Sequence, residues 1–413
     1  MTWLRSGFLL ALGLACVLAL TSCGANNKPG ATHSSAPAGD LPPGWAQLTK
    51  PGFTKDYTAV AYLSRGRDAA LARDDAYLAF MDPRGGVRLE RVGPIENGIV
   101  RSHGRSFAFD SEKDTFFVDG AASTSYRRPG KNIGSGHRAA FTSSGWDVSV
   151  INIGRLEDGY LTEVNSQKGD QQIRNTVRDV PGAVGFSGNT VYLMSAGSSN
   201  ADGTVSLHQV DVSKPNSAHK LLEFRPYADP AKEVFDAVSD LHVKDNKIWF
   251  TYYQTPISAT GSFLNGKRTL RLGQIDLTTK EFSSTTLSQN PWLLGDGPKG
   301  VVPVSVAGLD GYLHDGLLYT INTAGEIMSI NLEAATIHNI GRVGEVARNS
   351  FRVLAAWHGS EVTLLSVDGK GGAQLATYSL KDAHPTSTID VPELGTWYTQ
   401  NLEIIPWSVA TFG

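Results

Sequence analysis

The chain has 413 residues, 41% of them hydrophobic and 19% charged, with 44 glycines, a balance that fits a folded core cut by many turns and leaves little room for long charged helices. Its formal net charge of −3, from 37 Lys and Arg against 40 Asp and Glu, lacks the basic excess that a nucleic-acid-binding face requires. Its two cysteines, Cys16 and Cys23, both lie near the N-terminus.

A short region with one positive charge, Arg5, leads into an apolar run from Phe8 to Leu20 and then into small residues, the layout of an export signal. That run is too short to make a comfortable membrane span. Leu20-Thr21-Ser22-Cys23 at its end resembles the lipobox of bacterial lipoproteins. The resemblance implies diacylglyceryl transfer to the Cys23 sulfur, cleavage before Cys23, and acylation of the new amino terminus. Residues 1–22 are then the signal peptide, and the mature protein is a lipid-anchored, extracytoplasmic membrane protein. An ordinary secretory signal with a chance cysteine is the alternative. Removing residues 1–22 discards only Arg5, so the charge of −3 becomes −3 − 1 = −4. Cys16 leaves as well, so the mature chain holds no pair of cysteines, which excludes disulfides and Cys-based zinc sites despite the oxidising compartment. Residues 23–44, rich in Gly, Ala, Ser, Asn and Pro, cannot bury enough apolar surface to fold and read as a flexible tether. Such a length of flexible chain holds a domain about 25 Å from its anchor.

From residue 45 to residue 413 the chain reads as one domain of short strands and turns. The first copies of a turn followed by a β-rich run are less regular, with turns at Asp74-Asp75, Ser111 to Asp114 and Ser143 to Gly145. Ala76 to Phe80, Thr115 to Val118 and Asp147 to Ile151 follow them. Clearer copies come next: Ser187-Gly188-Asn189 before Val191 to Met194, and Lys244-Asp245-Asn246 before Ile248 to Thr251. His314-Asp315-Gly316 then precedes Leu317 to Ile321, and His358-Gly359-Ser360 precedes Val362 to Leu365. Gly, Asn and Asp supply the positive φ angles that two-residue hairpins need.

After each clear turn comes the same apolar pattern, in Leu207 to Val212, Leu272 to Leu277, Ile327 to Leu332 and Leu375 to Leu380. Each reads apolar, two variable, apolar, small polar, apolar. The central positions Val210, Ile275, Ile330 and Tyr378 are 65, 55 and 48 residues apart, which suits a blade-sized unit with variable loops. One turn per unit, near 75, 113, 144, 188, 245, 315 and 359, gives seven units of strand A, turn, strand B, loop, strand C, turn, strand D. Seven four-stranded antiparallel units resemble an all-β fold, the β-propeller, with six or eight blades as alternative counts and a sandwich array or β-helix as rivals. The paired signatures of WD40, kelch, sialidase and quinoprotein propellers are missing as sets. A ring needs closing, because an open end leaves a strand edge unpaired. The segment Trp397 to Trp407, anchored by Leu402, Ile404 and Ile405, is placed either against the first blade as a latch or as a strand of the last blade.

In such a blade the A–B and C–D turns share one face, and the B–C and D–A connections share the other. Gln254 to Arg268, Asn290 to Gly308 and Pro226 to Ala237 are long connections on the second face. They supply the candidate ligand-binding residues Tyr227, Phe263, Arg268, Trp292, Asp296 and Lys299, with Asp229, Lys232 and Leu293 beside them. Aromatic rings next to charges suit sugar or peptide recognition, although rings in long loops also pin those loops to the blade. Arg101, His103, Arg105, Arg127, Arg128, Lys131, His137 and Arg138 form a basic set near the first three units, with Glu96, Asp110 and Glu112 to balance it. Asp240 and His242, two apart on an inner strand, share a face there, and with Asp310 and His314 they are the candidates for a base or metal-ligand group at the channel. A pair that only hydrogen-bonds locally is the competing reading.

No G-x-S-x-G elbow, His-Glu-x-x-His helix, P-loop or dinucleotide fingerprint occurs, so no cofactor, nucleotide or nucleic-acid partner is expected. The expected activity is that of a lipid-anchored binding or assembly protein that meets an envelope protein, peptide or glycan through the long-loop face. The alternatives are an envelope carbohydrate hydrolase or lyase with its site at the channel mouth, and a non-catalytic modulator of a membrane sensor.

Overall fold

Short period-two strands joined by tight turns pair with their sequence neighbours, and in the computed structural model they build seven sheets of four or five strands each among the described residues. The described residues are 41–42, 44–65, 76–93, 95, 97–119, 122–127, 135–156, 159–195, 203–227, 229, 232–290, 293, 305–307, 311–322, 324–345, 347, 350, 352–401 and 404–413.

Chain order gives the blades. Blade 1 takes β1 (Ala59–Arg65), β2 (Ala76–Met81) and β3 (Val87–Val92) from the start of the ring. Blade 2 is β4 (Val100–His103), β5 (Ser106–Asp110), β6 (Asp114–Asp119) and β7 (Ala122–Arg127). Blade 3 is β8 (Ser135–Phe141), β9 (Asp147–Leu156), β10 (Gly159–Lys168) and β11 (Gln171–Val177). Blade 4 is β12 (Pro181–Ser187), β13 (Thr190–Ser195), β14 (Val205–Asp211) and β15 (His219–Phe224). In blade 5 the inner strand is split into β16 (Glu233–Ala237) and β17 (His242–Lys244), both paired with β18 (Lys247–Pro256), followed by β19 (Thr269–Asp276) and β20 (Phe282–Ser288). The connection after it carries β21 (Ser305–Ala307). Blade 6 is β22 (Tyr312–His314), β23 (Leu317–Ile321), β24 (Glu326–Asn331) and β25 (Thr336–Arg342). Blade 7 is β26 (Arg352–His358), β27 (Glu361–Val367), β28 (Ala373–Ser379) and β29 (Pro385–Asp390), with β21 added in parallel to the inner edge of β26.

The recurring apolar pattern lies on the third strand of its blade, β14, β19, β24 and β28. A spacing of three in a strand sends two side chains to opposite faces. Leu207 accordingly enters the apolar cluster between blades 4 and 5, while Val210 enters the one between blades 3 and 4. Leu272 and Ile275, Ile327 and Ile330, and Leu375 and Tyr378 divide in the same way between successive seams. The pattern is thus the signature of a sheet buried on both faces.

Turn chemistry places the A–B turns near 144, 188, 245, 315 and 359 where the sequence predicts them. Asp245 and Asn246, with φ of 52° and 57°, and Asp315 and Gly316, at 47° and 79°, have the positive φ pairs that suit two-residue hairpins. The first two units are out of phase with that prediction. Ser111 to Asp114 joins β5 to β6, the second and third strands of blade 2, and its true A–B turn is Gly104-Arg105. The connection before Ala76 likewise joins second and third strands, because the inner strand of blade 1 comes from the other end of the chain.

That strand is β30 (Ile404–Thr411), which pairs antiparallel with β1 from Ala59↔Thr411 to Arg65↔Ile404. Of the two predicted placements of the C-terminal segment, the latch is the one realised. Trp397 to Thr399, expected in the same extended segment, instead belong to the helix α2 (Pro392–Gln400), where a proline at the first turn favours helix entry. Its Leu394 and Tyr398 join the apolar cluster between blades 7 and 1, and Trp397 meets Tyr77 edge-on at 5.3 Å. Further bonds fasten the latch: the Phe412 amide donates to Thr58 O at 2.9 Å, and Arg352 Nε donates to Pro406 O at 2.9 Å. The N-terminal helix α1 (Trp45–Leu48) and Phe53 lie on the first blades, with Trp45 against Phe116 and Phe53 against Phe80 at 5.3 and 4.8 Å.

Six apolar clusters fill six of the seven seams among the described residues. The exception is the seam between blades 2 and 3, which polar groups line for most of its length, with Ile151 of blade 3 joining the cluster of blades 1 and 2. Truncation after Asn401 removes the inner strand of blade 1 and exposes the edge of β1. The expected outcome is loss of the cooperative thermal transition, read by circular dichroism; a truncated chain that melts like the full one would refute the latch.

Candidate functional site

Ten residues each make β9, β10 and β18 the longest strands among those described, and all three border B–C connections. Beyond Pro256 the chain folds back on itself through an Ile257↔Phe263 bridge, and the Leu264 amide donates to Pro256 O at 2.8 Å. This fold leaves Phe263 60% exposed. Arg268, at the foot of the loop, places its guanidinium 4.1 Å from the Tyr253 ring centre, an arrangement that holds the cation against an aromatic face. The neighbouring connection leans on the same loop, since the Ile257 amide donates to Lys232 O at 2.6 Å. Lys232 and Asp229 pair at 2.9 Å on the surface.

Tyr227 departs from the ligand-binding expectation. It is only 8% exposed and belongs to the apolar cluster between blades 4 and 5, so its ring pins the connection to the blade. Trp292, Asp296 and Lys299 lie outside the described residues, and so do Asp310 and Cys23. The residue that sequence reasoning missed is Tyr160. It sits at the tip of the β9–β10 hairpin opposite Arg155 and is 42% exposed. The signal was present in Asp158-Gly159, a hairpin dipeptide inside a long alternating run.

The channel candidates have structural partners. The Asp240 carboxylate accepts from Arg138 Nε at 2.7 Å through one oxygen and from the Val184 amide at 3.2 Å through the other. Blades 3, 4 and 5 meet at this carboxylate. Because the inner strand of blade 5 is interrupted, Asp240 precedes β17 and does not share a regular strand face with His242. His242 Nε2 borders Gly311, where an added Cβ would stand 3.0 Å away. His314 pairs with Asp315 at 3.4 Å and stacks on Tyr312 at 5.8 Å. No group of three or more His, Cys, Asp or Glu able to hold a metal ion occurs among the described residues. Between blades 3 and 4, His208 Nε2 lies 3.2 Å from Asp179 Oδ2 at a shallow, open cleft too small to hold a small-molecule ligand.

The expected basic patch is dispersed. Arg101 is buried between Asp110 and Asp147, and the Arg105 guanidinium donates to Thr54 O at 3.0 Å and Tyr57 O at 2.9 Å. Arg128, Lys131 and Glu96 lie outside the described residues, as does the Arg127 side chain. His137 occupies a bulge in β8 between Gly136 and Arg138, and its Nε2 is buried with no hydrogen-bond partner. Burial, aided by the Arg138 charge, pushes its pKa down to about 3.

A family model described as YycP, beta-propeller domain, matches residues 52–408. No curated protein matches the chain. Among solved structures, apo AztD from Citrobacter koseri is 10% identical with a TM-score of 0.38, over 85% of this chain and 88% of that one. BamB from Moraxella catarrhalis is 12% identical with a TM-score of 0.37, over 77% and 83%. Sqt1 from Saccharomyces cerevisiae is 11% identical with a TM-score of 0.36, over 70% and 84%.

The buried imidazole has a consequence for acid stability. Below its ordinary pKa of 6.5 the unfolded chain binds a proton at His137 that the folded chain refuses until about pH 3. The stability difference between the wild type and His137→Asn should therefore fall by about 1.4 kcal/mol per pH unit as pH drops from about 6.5, and stay flat above it. Denaturant unfolding across that pH range checks this, and a constant difference would contradict a neutral, buried His137.

Proposed function

The chain belongs to the YycP β-propeller family, and we propose that it acts outside the cytoplasm as a lipid-anchored binding or assembly protein, presenting the B–C face of its ring to a protein, peptide or envelope glycan. The observation that carries this reading is the placement of exposed apolar surface. Leu41, Tyr160 and Phe263 are the exposed large hydrophobic residues among those described. Two of the three stand at the ends of the longest B–C hairpins, on blades 3 and 5, on one face of the ring.

Aromatic side chains held in water by rigid hairpins suit recognition, because contact buries a large area at small cost in side-chain freedom. The blade 5 sheet beneath Phe263 is packed by apolar clusters on both faces, so that tip is presented on a stiff base. The engagement of Asp240 by Arg138 and the Val184 amide supports a binding protein over a hydrolase or lyase, since that carboxylate serves three blades. The lipobox-like Leu20-Thr21-Ser22-Cys23 supports attachment through Cys23 at the membrane surface, within reach of envelope partners.

Pull-down from solubilised envelope with the wild type and with Tyr160→Ala plus Phe263→Ala tests the face. Loss of most of the captured material with the double variant is expected, and unchanged capture would refute the role of these tips. Cys23→Ser should move the protein from the membrane fraction to the soluble fraction. Retention on the membrane would overturn the anchor.

A further inference from the structure

The seam between blades 2 and 3 differs from the rest of the ring in what it buries. On blade 2, Phe107, Phe109, Phe116 and Val118 turn toward blade 1, so strand alternation leaves Ala108, Asp110 and Thr115 to face blade 3. On blade 3, Val148, Val150 and Val164 turn toward blade 4, which leaves Asp147, Ser149, Glu163, Asn165 and Gln167 facing blade 2, together with Ile151, which joins the apolar cluster of blades 1 and 2. Aromatic contact is confined to one end, where Phe141 meets His103 and Phe117 at 5.8 and 5.9 Å. Arg101 enters from β4 and is held by Asp110 at 2.8 Å and by Asp147 of the other blade. Gln167 Nε2 donates across the seam to Thr124 Oγ1 at 3.0 Å.

These groups are deeply buried: Thr115 and Ser149 are 0% exposed, Asn165 1%, Glu163 4% and Gln167 6%. Three of their polar atoms have no partner, namely Ser149 Oγ, Asn165 Nδ2 and Gln167 Oε1, and a fourth buried atom without one is Nε of Arg174, whose side chain is 35% exposed overall. Strand register sets Ser149, Asn165 and Arg174 directly opposite one another across β9, β10 and β11, so three of the four form one row. The row mixes donors and acceptors, and buried polar atoms in such a mixture are satisfied by water.

We propose that the blade 2–blade 3 seam is a hydrated joint, holding ordered water along the Ser149–Asn165–Arg174 row, and that the closed ring opens there first. Two physical reasons join. Apolar burial, the term that holds the other six seams, is reduced here to Ile151 and Ile153 and the contacts around Phe141. A buried ion pair and water-bridged polar groups lose little when water enters, since water replaces the bonds they surrender. The latch in blade 1 is not the weak point, because apolar clusters flank that blade on both sides.

Native-state thiol labelling reads the opening. The full chain carrying Cys16→Ser and Cys23→Ser is free of cysteine. In that background Ser149→Cys probes this seam and Ser166→Cys probes the next, where Ser166 is 1% exposed and donates to Val212 O at 2.7 Å. Each variant is treated with a thiol reagent in native buffer and its rate normalised to that in denaturant. Labelling at Ser149→Cys at least tenfold faster than at Ser166→Cys is expected, and equal or slower labelling overturns the joint. Should Ser149→Cys not fold, Ala108→Cys probes the same seam from blade 2 with the same two outcomes. A high-resolution crystal structure should place water on Ser149 Oγ, Asn165 Nδ2 and Arg174 Nε, and a dry row would overturn the hydration.

Discussion

A ring of blades leaves the inner edge of its first blade unpaired unless its two ends are joined, and here one antiparallel pairing joins them: Ala59–Arg65 against Ile404–Thr411. Everything else in the molecule depends on that seven-residue match. It sets the phase of the blades, since blade 1 begins on its second strand. It also brings α2 onto the seam between blades 7 and 1, where Tyr398 and Leu394 are buried. With no disulfide available to the ring, this strand pairing and the packing of blade on blade hold the closure.

Packing is distributed unevenly around the circle. Aromatic residues crowd the seam between blades 1 and 2, where Phe107, Phe109, Phe116, Phe80 and Phe412 lie within 6.4 Å of one another in pairs. One blade further on, the facing surfaces are carboxylates, amides and hydroxyls around Arg101. Apolar contact resists separation of blades through loss of buried area, whereas a polar seam exchanges its bonds for bonds to water at little net cost. Rigidity and compliance are therefore neighbours, with blade 2 carrying one on each face. The Tyr160 hairpin belongs to blade 3, on the compliant side of that boundary.

Much of the fold was legible because its signals are local. The apolar spacing of three in Leu207–Val210 and its copies requires burial on both faces of a strand, and the Asp-Asn and Asp-Gly turns require hairpins. The phase error in blades 1 and 2 has an equally physical origin. Val100-Arg101-Ser102-His103 does not read as a buried strand, because Arg101 is buried through carboxylates that lie 9 and 46 residues away. The site was less legible. Tyr227 and Phe263 are both aromatic residues in long connections, yet one is enclosed between blades and the other stands in water. Composition cannot separate them, since the difference lies in which neighbour each ring meets.

By itself, then, the sequence determined the repeat, the all-β class, and the lipobox-like Cys23 on which an extracytoplasmic address is proposed, because each rests on residues close together in the chain; it put the number of blades at seven while leaving six and eight open. Only the tertiary structure decided that Asp240 joins three blades through Arg138 and Val184, that Arg101 is buried, and that Tyr160 and Phe263 are the exposed rings among the described residues. Those outcomes depend on contacts between residues up to 102 apart, and the strength of a charge or an aromatic ring is set by what surrounds it.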